Sequence, residues 1–120
     1  MKPERAQRLT RLIDAEPVWL DSGGPGITDA TGAPVPRRRG VAILFACPIH
    51  GDECLVAVSV DPPLDGGPPP AGEKTWKRTG GEDFATVTLS PSIRVLGGPD
   101  GCEWHGFIRN GLFEHCGDAR

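Results

Sequence analysis

The sequence predicts a mainly β domain, a small antiparallel sheet of zinc-ribbon-like build, with one short N-terminal helix. Three observations lead there. Gly and Pro number 17 and 13 among 120 residues and crowd into a few segments, which favours short strands joined by loops. Apolar runs of strand length, residues 41–46 and 54–60, are bounded by turn-forming residues. Two Cys-x-x-His stretches, Cys47-Pro48-Ile49-His50 and Cys102-Glu103-Trp104-His105, lie beside strand-like runs, a spacing that suits one tetrahedral zinc held between two tight turns.

Taken in order, residues 5–15 are the helix candidate: Leu9, Leu12 and Ile13 fall on one face, Arg8 and Arg11 solvate the other, and Pro17 ends it. Pro17-Val18-Trp19-Leu20 reads as a short strand. Residues 21–40 form a long Gly- and Pro-rich connection that contains the one dense basic run, Arg37-Arg38-Arg39, expected as a solvated loop. No phosphate-binding pattern follows its glycines. Residues 41–46 are apolar on both faces, so that strand should be central. With residues 54–60 it forms a hairpin across the first Cys-x-x-His turn.

Residues 61–72 are too rich in Pro, Gly and Asp to pair, and form a surface excursion. Trp76 then covers an edge of the core, ahead of a turn at Thr79-Gly80-Gly81. Residues 84–89 alternate as a strand, which Ser90-Pro91-Ser92-Ile93 should terminate. Finally, Asn110-Gly111 between two apolar runs is the signature of a type I′ hairpin, because both central residues need positive φ. The domain division that follows is residues 1–39 as helix, short strand and flexible connection, 40–116 as the zinc-binding β domain, and 117–120 as a tail.

Composition excludes some classes. The net charge of −3 and the scattered basic residues do not favour a nucleic-acid partner. No apolar run approaches the ~20 residues of a membrane span, and the N-terminus lacks the apolar core of a signal peptide. The expectation is a cytoplasmic protein whose four Cys are metal ligands or thiols rather than disulfides. The oligomeric state is not legible.

The expected zinc ligands are Cys47, His50, Cys102 and His105. Cys54 opens an apolar strand and reads first as a core thiol, with a ligand role as the alternative. His115 and Cys116 read as a non-ligating pair near the C-terminus.

The order of these features resembles a family of small bacterial and phage proteins with no settled activity, some of them encoded beside bacterial ubiquitin-like conjugation genes. The resemblance covers roughly residues 40–115. It rests on Cys47-Pro48, Trp76, Thr88-Leu89-Ser90-Pro91-Ser92-Ile93, and Cys102, His105, Gly106, Phe107, Ile108, Asn110 and Gly111. It implies zinc. The family's first turn usually reads Cys-Pro-Cys-Gly-Cys, often with a His before the first Cys. This chain has Ile49 and His50 inside the turn and Leu44 or Phe45 before it, so the fourth ligand is His50 or, alternatively, Cys54.

Three functions follow. The first is a non-catalytic module in which structural zinc supports binding of another protein. The second is a zinc-dependent hydrolase or peptidase linked to ubiquitin-like conjugation, with Glu103 or Glu53 as base. In one variant of it, Ser92 is a nucleophile activated by His105 or His115, although a zinc-bound His105 could not also serve as base. Without that role, Ser92 bonds backbone at the Pro91 turn. The third is a nucleic-acid-binding zinc ribbon using Lys74, Lys77, Arg78, Arg94 and Arg109.

Overall fold

The computed structural model describes residues 9–49, 51–70, 72, 74–95 and 103–116, without the side chains of Asp52 and Glu53. They build one seven-stranded sheet whose spatial order follows the chain: β1 (Val18–Ser22), β2 (Arg38–Cys47), β3 (Gly51–Asp61), β4 (Trp76–Thr79), β5 (Thr88–Val95), β6 (Trp104–Arg109) and β7 (Leu112–His115). The fold class is the mainly β one expected. Neighbouring strands run antiparallel except β3 and β4, which pair in parallel through Val60 with Trp76 and Asp61 with Lys77. The sheet is therefore mixed. A parallel pair needs a long crossover, and the Pro- and Gly-rich excursion after Asp61 supplies it. Arg78 anchors that excursion by donating to the carbonyls of Pro62, Pro63 and Gly81. Among the described residues no helix is long and apolar enough to cross a membrane.

β2 and β3 form the expected hairpin, with Cys47 opposite Gly51. Ile43, Phe45, Val58 and Val60 are at most 2% exposed and pack with Val87, Leu89, Ile93, Trp104 and Ile108. Burial of each such side chain stabilises by roughly 1.5–3 kcal/mol. At the centre, Trp104 stands edge-on to both Phe45 and Phe113, with ring centroids 6.2 and 5.6 Å away, an arrangement that aromatic quadrupoles favour.

The predicted helix is not formed. Its described part is an extended segment followed by a single turn of 3-10 helix at Leu12–Ala15, while residues 5–8 lie outside the described residues. The backbone is committed elsewhere. Leu12 N–H donates to the Gly111 carbonyl, Phe113 N–H donates to the Thr10 carbonyl, and Arg11 bridges Leu112, so the segment runs along the outer edge of β7. Glu16 then turns left-handed, at φ 53°, ahead of Pro17.

Two other boundaries move. β5 begins at Thr88, not at residue 84, because Asp83 folds the preceding chain into a turn. Its carboxylate accepts from Ala85 N–H and its carbonyl from Thr86 and Val87 N–H. Pro91, expected to end the strand, lies inside it. The β6–β7 turn is as read: Asn110 and Gly111 have φ of 50° and 73°.

Arg37, Arg38 and Arg39 are not a free basic loop. They pair with Asp21, Asp65 and Glu82 respectively, which fastens the start of β2 to its surroundings. The hydrogen bonds from Arg38 hold the Asp65 carboxyl well below the usual carboxylate range, helped by the backbone N–H groups of Gly67 and Arg39. Asp21 is lowered in the same direction by Arg37 and by the Gly40 N–H.

Candidate active site

The ladder between β5 and β6 is irregular. Leu89 faces Ile108 and Ile93 faces Gly106, so four steps along β5 cover two along β6. Ser90, Pro91 and Ser92 together oppose Phe107, and the Ser90–Pro91 peptide is cis. Pro91 has no N–H to give to a ladder, and the extra residues are taken up as a bulge. Bulges break pairing and re-aim side chains, and they recur beside active sites.

Opposite this bulge, β6 is regular. Trp104 is 1% exposed, and Gly106 and Ile108 are buried with it. A Cβ on Gly106 would meet the Glu114 carbonyl oxygen at 2.5 Å and the Trp104 ring at 2.7 Å, so only glycine fits there. With period-two alternation, burial of these residues turns His105 and Phe107 to the outer face. His105 faces Arg94, and its carbonyl accepts from Cys116 N–H at 2.9 Å, which fixes its backbone between β5 and β7.

The outcome is a contact between two half-buried polar side chains: Ser92 Oγ lies 3.0 Å from His105 Nε2. With the hydroxyl donating, Nε2 accepts and the ring proton resides on Nδ1. That is the arrangement in which imidazole can withdraw the serine proton. The Ser92 carbonyl accepts a second bond, 3.0 Å, from the indole Nε1–H of Trp76 on β4.

His115, the alternative base, is engaged elsewhere. The Trp104 indole donates to its Nδ1 at 3.1 Å, which leaves Nε2–H to donate to the Leu9 carbonyl, also at 3.1 Å. It is a packing residue wedged against Trp104 and Phe113. Glu103 is exposed, immediately before β6.

The expected zinc ligands are not brought together among the described residues. Cys47 is buried in the core at the end of β2, and His50 and Cys102 lie outside the described residues. His105 uses Nε2 on Ser92. Cys54 is disulfide-bonded, against the expectation of reduced cysteines, and a cystine sulfur is no thiolate ligand. Glu53 is described only as backbone of β3. No group of three or more His, Cys, Asp or Glu side chains capable of holding a metal occurs among the described residues. The described residues by themselves assemble no zinc site, and no chemical step is routed through the ion.

A surface cavity of about 490 Å³ lies instead along the β1–β2 connection, lined by Pro25, Ile27, Pro34, Val35 and Arg37 among others. It contains neither Ser92 nor His105, and its lining is mostly apolar.

A serine hydroxyl 3.0 Å from an imidazole nitrogen has the spacing of the nucleophile–base contact in serine hydrolases. The family model for the bacterial ubiquitination-like system serine protease, BubE, matches residues 29–116, and the chain belongs to that family. No curated protein and no solved structure matches the chain.

Sequence reading had both members of the pair in view but ranked them differently, giving His105 to zinc and Ser92 to a turn. The available signal was a run of polar residues, Ser90-Pro91-Ser92, inside a segment that otherwise reads as strand.

Proposed function

We propose that this protein is a serine peptidase of a bacterial ubiquitin-like conjugation system, cleaving an acyl bond at the C-terminal end of a ubiquitin-like protein. The 3.0 Å contact between Ser92 Oγ and His105 Nε2 supports this reading most directly, and family membership supplies the pathway. Ser92 Oγ attacks the substrate carbonyl carbon while His105 Nε2 takes the hydroxyl proton. The tetrahedral intermediate collapses as His105 returns that proton to the leaving nitrogen or oxygen, giving an acyl-Ser92 ester. Water, deprotonated by the same nitrogen, attacks the ester and releases the carboxylate, regenerating Ser92.

The test uses the purified chain and a ubiquitin-like protein from the same system carrying a C-terminal extension, followed by intact mass. Wild type should release the extension, and a fluorophosphonate probe should add to Ser92. Ser92→Ala and His105→Ala should abolish both. Cleavage that persists in Ser92→Ala would overturn the assignment.

A further inference from the structure

We infer that Trp76 is a positioning residue for the nucleophile, holding Ser92 in register with His105 through its indole N–H. The inference rests on the Ser92–His105 reading above. Ser92 has no register partner on β4 or on β6: the β4 ladder pairs Lys77 with Ser90 and goes no further along β5, and the β6 ladder resumes only at Ile93. The residue that must present its hydroxyl most accurately is thus the one that cross-strand pairing leaves unplaced.

Its neighbours fix it on two sides. Pro91 sets the preceding backbone angle by its ring. Ile93, 2% exposed and opposite Gly106, fixes the following residue. Between them, the peptide plane linking Ser92 to Ile93 is oriented by the 3.0 Å bond from Trp76 Nε1–H to the Ser92 carbonyl. Rotation of that plane changes ψ of Ser92 and moves the base of its side chain relative to His105. Pro91 cannot extend the β4 ladder with an N–H of its own, and the indole provides the donor from β4 instead.

Trp76 is itself well anchored. Its backbone pairs with Val60, which is fully buried, and the Lys74 ammonium lies 5.0 Å from the ring centroid. The half-buried site protects the hydrogen bond from competing water. β3 thus holds the Trp76 backbone on β4, while the indole N–H acts on the neighbouring strand β5.

The experiment compares wild type, Trp76→Phe and Ser92→Ala, following fluorophosphonate labelling over a range of probe concentrations, with thermal unfolding alongside. Trp76→Phe removes the N–H and keeps a ring. It should lower the maximal labelling rate about 10- to 100-fold, the scale of a small misplacement of reacting groups. The half-saturating probe concentration should stay within about threefold, since probe binding does not use the indole N–H. Incorporating benzothienylalanine at position 76 replaces N–H by sulfur in a bicycle of the same shape, and it should reproduce the loss with unfolding unchanged. This covers the case in which the Phe variant folds poorly.

Full-rate labelling of either variant overturns the role of Trp76 and leaves the dyad standing. A loss that appears only as weaker half-saturation, or only together with unfolding, also overturns it. Wild type that fails to label where Ser92→Ala also fails overturns the dyad, and the positioning role with it.

Discussion

β6 has two neighbours, and they are built differently. Against β7 it forms an unbroken ladder, from Gly106 opposite His115 to Arg109 opposite Leu112, closed by the Asn110–Gly111 turn. Against β5 the ladder breaks where Ser90, Pro91 and Ser92 crowd opposite one residue. The regular side provides placement: it buries Trp104, Ile108 and Phe113 and fixes the His105 backbone. On the irregular side the Ser92 hydroxyl is turned towards that imidazole, the contact on which the proposed chemistry rests. A working site needs both, one strand held rigidly and one released from strict pairing.

Changes on the irregular side should act on activity alone. Ser92→Ala or His105→Ala should reduce peptidase turnover by at least about 1,000-fold, while urea titration shifts stability by no more than about 1 kcal/mol, the net worth of one hydrogen bond. A large stability loss with residual turnover would reverse the roles assigned to the two sides.

Changes on the regular side should act on stability. Gly111 has φ 73°, and a Cβ there would meet the Ala85 carbonyl oxygen at 2.4 Å. Gly111→Ala should cost about 1–3 kcal/mol in the same titration, with turnover per folded molecule within about twofold of wild type. A larger drop in specific turnover would show that the hairpin reaches the bulge.

Outside both ladders, the Arg38–Asp65 pair should matter least. The Asp65 carboxyl is depressed in the folded state, so the stability it contributes is present above the ordinary carboxylate value of 3.8 and is lost as pH falls through the folded-state value. Asp65→Asn should lower the melting temperature slightly at pH 7, as befits a partly exposed pair. The gap should close in acid below about pH 4. A gap that widens in acid would contradict the pairing. Chelator treatment, monitored by turnover and by metal analysis, should leave peptidase activity unchanged, because both reacting atoms belong to side chains. Loss on chelation and recovery with zinc would return His105 to the metal.

The regular side was legible because its signals are local. Asn110-Gly111 needs only two residues to specify its turn, and the apolar runs of β2 and β3 declare themselves by composition. The irregular side was harder. Proline inside Thr88–Val95 reads as a terminator unless a bulge absorbs it, and β4, Trp76–Thr79, is too short and too polar to stand out. The Ser92–His105 pair joins positions on adjacent strands whose register is set by that same bulge, so no spacing rule in the chain announces it. The two Cys-x-x-His stretches drew attention because their spacing is local, and spacing alone does not say what a histidine faces after folding. The N-terminal helix failed for a related reason: its period was real, but the β7 edge offered its backbone better partners.

That edge has a consequence of its own. A sheet that ends in an open strand can grow by recruiting a strand from another molecule. Here residues 9–12 occupy the outer margin of β7 through Leu12 with Gly111, Phe113 with Thr10, and the His115 ring with the Leu9 carbonyl. The segment works as a built-in chain stopper at that margin: it uses the valences along which a second copy could pair.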